Sequence, residues 1–573
     1  MAVGPVNRLP RGDALLPLGF PGEQQIEMRW PRRRDAPVFA EGGMVAAAHP
    51  LVTQAGVAIL ERGGNAVDAA VAAGLVAAVV MPEMCGLGGD LFAIVHAPGL
   101  NGGQSLAIHG SGIAPRGASI DLMRARGDAG GRVMPHRGPL SVGVPGMVDA
   151  YFALLERFGT RPFALLAERA IAYANDGFPL TVGGARAIAE SRDLLTRFPS
   201  SAAVFLPGGP MPFAGAVLRQ PELAWTLRQL AAGGRDAFYR GEIARRIAAF
   251  MAANGGALAV DDLADHETVI AAPLRTTYRG YTVLQTGLPT QGLLLLEMLN
   301  IAEYVDLAAI GPFTAAGIHL LAEAKKLAYA DRVRYAGDSA FVPIPLDRLL
   351  SKEWAAERYA RIDPERAAEM VPAGEYRDGD TTFLAVADRS GMMVSLIQSV
   401  ASNFGSGLVV EETGIVLNNR VGHGFSLEPG HPNVYAPGKK PMHTLNCYLI
   451  ADADGLPVLV GGTPGGDAQP PWNLQVITAL IDGGLDVQAA IDAPRWRNWP
   501  GADPSTIADA FELQVEDRIG DDVVAGLEAR GHRVRCLGPW QGGGAAQVIA
   551  RDPRTGVLVS GTDPRVEGLA AGR

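Results

Sequence analysis

The spacing of hydrophobic and polar positions divides this chain into three parts. In the first part, apolar residues recur with helical spacing at 50–62, 65–80 and 147–158, and short alternating runs at 91–96 and 104–108 predict strands between these helices. The first third is therefore predicted to mix helices with strands.

The middle and last parts have different patterns. From residue 163 to about 350 the helical period dominates, most clearly at 222–232, 243–253 and 313–329. After a charged helix beyond Ser351, a polar, Gly-containing segment covers 372–380. Alternating runs at 383–388 and 392–398 flank a turn and predict a hairpin, followed by helices at 472–482 and 487–490. Strand-rich ends around a helical middle favour an α+β protein.

Composition and charge narrow the class of protein. The 573 residues are 48% hydrophobic with a mean hydropathy of +0.12, which predicts a well-buried globular enzyme. The net charge is −10, and beyond three arginines at 32–34 there is no basic tract, which argues against a nucleic-acid partner. The first 34 residues carry no apolar signal segment, so we expect a cytoplasmic protein. The apolar run at 66–81 is too short to span a membrane and contains Asp68, so it predicts a buried helix with Asn65 as its N-cap.

The cysteines give no sign of a metal or redox site. Cys85, Cys447 and Cys536 lie far apart and lack zinc-site spacing, so neither a metal nor a cofactor is predicted. Cys85 and Cys447 have apolar or Gly-rich neighbours and are expected to be small core residues.

Thr381 and Thr382 open the predicted hairpin directly after the polar segment. If the chain is cut before Thr381, that residue gains an α-amino group with a reference pKa of about 7.7–8.0, which can serve as the base for its own hydroxyl. Two threonines at a strand start are by themselves usually structural, because β-branched residues suit strands. Thr382 remains a rival nucleophile.

A series of motifs elsewhere in the chain favours a catalytic role for Thr381 over a structural one. In order they read MVAA (44–47), HP (49–50), GGNAVDAA (63–70), GLGG (86–89), VPG (144–146), DTT (380–382), NFGSG (403–407), GIVLNN (414–419), PGKKP (437–441), GTPGG (462–466) and DPR (563–565). Together they resemble the γ-glutamyltransferase (glutathione hydrolase) family, from about residue 42 to the end. The resemblance implies a four-layer αββα sandwich of the N-terminal-nucleophile type without a cofactor. It further implies self-cleavage between Asp380 and Thr381. An irregular arm at 1–40 would then precede a large segment, 41–380, and a small segment, 381–573, which stay together as a heterodimer; a dimer of such units is compatible with this.

The resemblance also implies roles for several residues. Thr381 is the nucleophile, Ser399 aligns with a hydroxyl that supports it, and Gly465 and Gly466 match glycines whose N–H groups form an oxyanion hole. Asn418 and Asn419 fall where the family lines its pocket. Each has a structural alternative, since Ser occurs at strand edges and Gly and Asn favour turns.

The chain departs from the family at the positions that hold the donor's amino-acid end. The family's clamping Arg falls at about Ser111, and a family Asn falls at Ala401. The other predicted substrate-binding residues stand in segments where the family has acidic or serine side chains: Arg420, His423, His443 and Thr444. Because Arg suits a carboxylate, we hypothesise an anionic or acyl-amide substrate such as an oxo-acid amide. Alternatively, Arg420 faces solvent or a buried Asp.

The predicted function is a self-processing hydrolase of a small-molecule amide, with water or an amine as acceptor. Two alternatives stay open. One is a true γ-glutamyltransferase, with other residues taking over the donor clamp. The other is an unprocessed, catalytically silent scaffold or binding protein, against which the intact Thr381 and Gly465-Gly466 argue. No nucleic acid or membrane partner is predicted.

Overall fold

Two antiparallel sheets form the centre of the molecule. The computed structural model describes residues 30, 31, 33, 34, 36–99, 103–368, 380–499 and 512–573, and only the backbone of Asp380. The first sheet has seven strands in the order Val38–Ala40, Leu558–Thr562, Gln547–Arg551, Pro457–Gly462, Cys447–Ala451, Tyr281–Gln285 and Leu274–Tyr278. The second sheet also has seven, in the order Leu569–Gly572, Gly43–Ala47, Asp380–Asp388, Met393–Ala401, Asp90–His96, Ser105–Gly110 and Val269–Ala271.

The two sheets pack face to face. Their shared core contains Phe92, Ile94 and Phe383 from the second sheet and Leu449 and Val460 from the first, all fully buried. Alternation along each strand sends the other side chains outward, against helices. The result is four layers, helix–sheet–sheet–helix, which confirms the predicted fold class.

Helices cover the outer face of each sheet. Those on the second sheet are Pro50–Glu61, Ala66–Val80, Met147–Phe158, Glu168–Asp176, Pro221–Tyr239 and Glu242–Ala253. Those on the first are Gly292–Ala302, Ala315–Tyr335, Gln469–Ile481, Val487–Asp492 and Asp521–Ala529. Shorter helices are Ile120–Ala125, Asp128–Gly131, Phe163–Leu166, Val182–Glu190, Arg192–Thr196, Pro199–Phe205, Val260–Ala264, Leu307–Ile310, Leu346–Leu349, Lys352–Tyr359 and Arg420–Gly424. Small sheets are Phe178–Pro179 with Val217–Leu218, Val409–Val410 with Ile415–Val416, and Trp496–Trp499 with Glu512–Glu516 and Val534–Leu537.

The helix Ala66–Val80 shows why the apolar run folds as predicted. The Asn65 side chain accepts a hydrogen bond from the Asp68 N–H, and Asp68 accepts one from the Asn65 N–H, which is a capping box. All residues of the helix are buried. Among the described residues, no helix is long and apolar enough to cross a bilayer.

The structure adds two details to the predicted organisation. The mostly helical middle contains the hairpin Leu274–Tyr278 and Tyr281–Gln285, closed by Arg279 and Gly280 with φ of 51° and 88°. Two successive positive φ angles form the tight turn that suits twisted strands, and Arg at the first position concealed it. The arm at 1–40 ends in the strand Val38–Ala40, and its first 29 residues lie outside the described part. The polar segment at 372–380 also lies outside it, except for the Asp380 backbone.

The predicted large and small segments are interleaved in both sheets. In the second sheet, Gly43–Ala47 lies between the small-segment strands Leu569–Gly572 and Asp380–Asp388. In the first sheet, Val38–Ala40 pairs with Leu558–Thr562 and Tyr281–Gln285 pairs with Cys447–Ala451. Neither segment therefore contains a complete sheet.

Candidate active site

A bulge sets Thr381 apart from the rest of its strand. Asp380 pairs with Ala401 and Thr382 pairs with Gln398, so Ser399 and Val400 together face the single residue Thr381. Such a bulge redirects side chains and interrupts the ladder. Thr381 is 2% exposed and lines a cavity of about 670 Å³. The rival Thr382 does not line that cavity; its hydroxyl is 3.6 Å from Met81 Sδ.

Ser399 holds the Thr381 hydroxyl from the neighbouring strand. Thr381 Oγ1 donates to Ser399 Oγ at 3.3 Å, and the same oxygen accepts a hydrogen bond from the Ala401 N–H at 2.7 Å. Ala401 has φ of 86°, a left-handed conformation that costs a non-glycine residue about 1–3 kcal/mol. Ser399 thus connects the candidate nucleophile to a strained backbone position.

Gly465 and Gly466 form a turn, of which Gly465 lines the cavity and Gly466 does not. Their φ angles are 128° and 53°, and a Cβ on Gly465 would overlap the Trp472 ring. Gln291 Nε2 donates to the Gly466 carbonyl at 2.8 Å, which holds the turn in place. No described residue accepts a hydrogen bond from either glycine N–H. The turn also precedes the helix Gln469–Ile481, whose dipole favours negative charge at this end.

The cavity itself is lined by polar and apolar groups from both segments. Three arginines and three glutamates contribute to its wall, so its fixed charges balance. The lining residues that bear on its chemistry are Arg33, His49, Met81, Glu83, Arg186, Glu190, Thr381, Pro464, Gly465, Arg565 and Glu567. Its volume suits a small molecule.

The predicted pocket residues Asn418 and Asn419 are hydrogen-bonded mainly to backbone groups. Asn418 Nδ2 donates to the carbonyls of Gly88 and Gly143, at 2.7 and 3.0 Å. Asn419 Oδ1 accepts from the Ser402 N–H at 2.9 Å. Neither side chain lines the cavity. Their contacts fix the loops behind the nucleophile.

Two further predicted residues, His423 and Thr444, are buried at the same end of the sheets. The His423 N–H donates to the Asn419 carbonyl at 2.9 Å, and the Thr444 carbonyl accepts from Gln291 Nε2 at 2.7 Å. Gln291 therefore connects Thr444 to the glycine turn, and neither residue lines the cavity.

Arg420 forms a buried ion pair with Asp90. Arg420 Nε donates to Asp90 Oδ2 at 3.0 Å, and both side chains are 1% exposed. Nη1 and Nη2 of Arg420 have no hydrogen-bond partner in the described part of the chain. Burial raises the pKa of Asp90 to about 6, although Arg420 opposes this shift. Asp90 lies directly opposite Ser399 in the second sheet, so the pair adjoins the residue that hydrogen-bonds the Thr381 hydroxyl.

Ser111 and His443 complete this group of charges. Ser111 Oγ is hydrogen-bonded to His443 Nε2, and His443 Nδ1 lies 3.9 Å from Asp90 Oδ2. These are the residue types of a Ser–His–Asp triad, but 3.9 Å exceeds a hydrogen bond and the carboxylate already pairs with Arg420. Burial, and next the Arg420 charge, hold the pKa of His443 well below its usual value, so its ring is neutral. We call Asp90, Ser111, Arg420 and His443 the polar cluster.

Sequence comparison identifies the family. The model of the family described as gamma-glutamyltranspeptidase matches residues 52–573. The chain belongs to this family. Family members are N-terminal-nucleophile enzymes made as proenzymes, and the chain is accordingly an amide-hydrolysing enzyme of that class.

Similar proteins of this family have diverse names. The chain is 37% identical to the glutathione hydrolase-like YwrD proenzyme of Bacillus subtilis and 38% identical to the oxamate amidohydrolase proenzyme of Klebsiella pneumoniae, covering 92% of this chain and 98% of each relative. A cephalosporin acylase structure from Bacillus halodurans superposes with a TM-score of 0.87 at 36% identity, covering 96% of this chain and 99% of that one.

Two residues of this region were missed by the sequence reasoning. His49 lines the cavity; its Nδ1 accepts from the Leu51 N–H at 3.1 Å, so its proton lies on Nε2, which has no described partner. Burial lowers the pKa of His49 to about 4, so the ring offers a neutral donor. Asp90 was missed because a carboxylate after GLGG has no motif of its own. For His49 the sequence did offer a signal: Pro is common at the first position of a helix, so Pro50 indicates that His49 is a helix N-cap.

Proposed function

We propose that Thr381 is the nucleophile of both self-cleavage and amide hydrolysis. The observation that carries the proposal is the hydroxyl of Thr381, set out by the bulge into the cavity wall and hydrogen-bonded to Ser399. Family membership supports the same assignment. The large segment then ends at Asp380, and the small segment begins at Thr381.

The self-cleavage reaction needs only groups of the chain and one water molecule. Thr381 Oγ attacks the carbonyl carbon of Asp380, and the C–N bond between Asp380 and Thr381 breaks as the proton passes to nitrogen. The resulting ester is hydrolysed by water, which leaves a carboxylate on Asp380 and a free amine on Thr381. Interleaved strands hold the two chains together afterwards.

The mature enzyme reuses the same hydroxyl. The α-amine of Thr381 removes the hydroxyl proton, and Oγ attacks the amide carbon of the substrate. The N–H groups of Gly465 and Gly466 stabilise the oxyanion, which typically contributes about 3–4 kcal/mol. The leaving amine takes a proton, and water or an acceptor amine resolves the ester.

The polar cluster supports an anionic substrate. Arg420 has two buried Nη groups without a described partner, and leaving such donors unpaired costs about 1–3 kcal/mol each. Arg420 does not line the cavity that Thr381 lines; a substrate whose carboxylate reached it would accept from both Nη groups in the forked geometry that suits guanidinium. One similar protein is named an oxamate amidohydrolase, and oxamate carries a carboxylate beside its amide. We therefore infer a small amide bearing a carboxylate, and the role of Ser111 and His443 is to complete its receptor.

Intact-mass spectrometry of the denatured protein tests the nucleophile. Wild type should give two chains, one ending at Asp380 and one starting at Thr381. Thr381→Ala should give one full-length mass, whereas the control Ser111→Ala should still be cut. A single mass for wild type after long incubation would support the scaffold alternative, and cleavage of Thr381→Ala would remove Thr381 from its role.

Oxamate and its uncharged diamide, oxamide, form a matched pair of substrates for testing Arg420. Arg420→Ala should lower kcat/KM for oxamate by roughly 10–100-fold, from the loss of charge-assisted hydrogen bonds worth about 1.5–3 kcal/mol, and spare oxamide. Arg420→Lys, which keeps the charge without the fork, should fall between. Equal losses on both substrates would show that Arg420 only supports the fold.

The alternative within the same chemistry is a γ-glutamyl substrate. It would be favoured if a γ-glutamyl anilide were hydrolysed with a higher kcat/KM than oxamate. In that case Arg420→Ala would leave the preference unchanged.

A further inference from the structure

A second group of buried ligating side chains lies outside the cavity. His319 and Glu323 are one turn apart on the helix Ala315–Tyr335, and His532 lies between the helix Asp521–Ala529 and the strand Val534–Leu537. They are 0%, 3% and 5% exposed. One ligating atom from each residue can be chosen so that all three lie within 4.8 Å of one another. None of the three lines the cavity with Thr381.

The protonation of His319 is fixed by its other nitrogen. His319 Nε2 is 2.8 Å from the Asp363 carbonyl, which can only accept, so Nε2 carries the proton. His319 Nδ1 therefore presents a lone pair, and it lies 2.8 Å from His532 Nε2. A backbone carbonyl that orients a histidine in this way is the usual outer contact of a metal-bound imidazole.

Glu323 supplies a carboxylate that is already held in place. One oxygen accepts from the Ala368 N–H at 3.2 Å, and the other accepts from Lys326 Nζ at 2.6 Å. An ionised carboxylate offers about four lone-pair sites, so these bonds leave room for a further ligand. The positive charge of the Lys326 ammonium repels a cation bound at Glu323 and therefore limits the affinity of the site.

We propose that His319 Nδ1, His532 Nε2 and one carboxylate oxygen of Glu323 bind a divalent transition-metal ion, with zinc as the preferred ion. Two imidazoles and one carboxylate form a ligand set that zinc accepts. Bonds of about 2.0–2.1 Å in tetrahedral geometry place ligand atoms about 3.3 Å apart, so the two imidazoles need to separate by about 0.5 Å. His532 then carries its proton on Nδ1, and binding releases no net proton.

The site would join the two segments. His319 and Glu323 belong to the large segment, and His532 belongs to the small one. Asp363 and Ala368, which fix the ligands, belong to the large segment, and Ala368 is the last described residue before position 380. The ion would therefore connect the region around Asp363 and Ala368 of the large segment to the small segment. This holds for the precursor and the cut protein alike, so it is independent of the proposed catalysis.

Metal titration of the full-length protein tests the site. After treatment with a chelator, zinc added to wild type should bind at one ion per chain by calorimetry, and cobalt should give the visible spectrum of a tetrahedral site. Glu323→Gln keeps the shape of the side chain and should weaken binding by at least roughly tenfold, while His532→Ala should weaken it more. His431→Ala, in a partly buried histidine outside the cluster, should change nothing.

Lys326→Met should change the zinc affinity in the opposite direction. Removing the competing ammonium should tighten zinc binding, which an adventitious histidine site would not do. No zinc binding by wild type, or equal affinities for wild type, Glu323→Gln and Lys326→Met, would overturn the proposal and leave a hydrogen bond between two imidazoles.

Discussion

Replacing Ser399 by Ala should have two effects that can be measured separately. One is on the rate at which the Thr381 hydroxyl attacks, and the other is on the stability of the folded protein. The Ser399 hydroxyl accepts hydrogen bonds from the Thr381 hydroxyl and from the Ala401 N–H, at 3.3 and 2.7 Å. Alanine removes the one oxygen that accepts both hydrogen bonds and adds no atom. Because Ser399 and Ala401 are buried and do not line the cavity, water cannot easily replace the bond to the Ala401 N–H.

The structure sets a magnitude for each loss. The longer contact to Thr381 corresponds to a neutral hydrogen bond worth about 0.5–1.5 kcal/mol, or a roughly 2–12-fold slower attack. The buried Ala401 N–H left without an acceptor costs about 1–3 kcal/mol of folding free energy. The strained φ of Ala401 adds to the tendency of this bulge to relax.

Time-resolved mass spectrometry of freshly folded precursor measures the first effect, and thermal unfolding measures the second. Ser399→Thr, which keeps the hydroxyl, should recover most of the cleavage rate. The reasoning is refuted if Ser399→Ala cleaves as fast as wild type, or if Ser399→Thr is as slow as Ser399→Ala while equally stable. A loss above roughly 1000-fold would mean that Ser399 moves a proton instead of holding a hydroxyl.

Three other changes have clear expected outcomes. Gly465→Ala should reduce kcat by roughly 100–1000-fold, because a methyl group at φ 128° would overlap the tryptophan ring behind it and displace the oxyanion donor; Gly455→Ala, at a positive φ with open space, should leave kcat unchanged. Protonation of Asp90 as the pH falls through about 6 removes the anion that competes for Arg420, so inhibition by oxalate should strengthen in wild type and stay flat in Asp90→Asn. Burial raises the pKa of Glu297 well above its usual value. The contribution of this side chain to folding stability is therefore present at low pH and is lost as the pH rises through the folded-state pKa. Glu297→Met should raise the melting temperature, and by more in alkaline buffer.

Much of the fold follows from local patterns in the sequence. The helix predicted at 65–80 and the one at 147–158 match their observed bounds to within a residue, because capping and apolar periodicity act over one or two turns. The hairpin Leu274–Tyr278 with Tyr281–Gln285 was missed because its strands are half exposed and its turn lacks the usual Asn-Gly. The order of the strands could be anticipated only through the family resemblance, since sheet pairing connects distant residues.

Less of the candidate site than of the fold could be predicted from the sequence. Thr381 and Gly465 could be named from motifs, and both line the cavity. The partner of Arg420 could not, because Asp90 is 330 positions away and buried charges pair through tertiary structure. Asn418 was named for the pocket, yet its amide is bonded to backbone, a contact that no spacing rule predicts.

The interleaving of large- and small-segment strands has a consequence for how the enzyme must be made. If the two chains were synthesised separately, each would expose unpaired strand edges and half of an apolar interface, the conditions that favour aggregation. The uncut precursor avoids this by keeping both partners on one polypeptide until every strand has found its neighbour. If the bond before Thr381 is the one that is cut, as proposed, it links the two segments while the chain folds, and the processed enzyme no longer has that link. Refolding from denatured, processed chains should consequently fail under conditions in which the uncut Thr381→Ala precursor refolds.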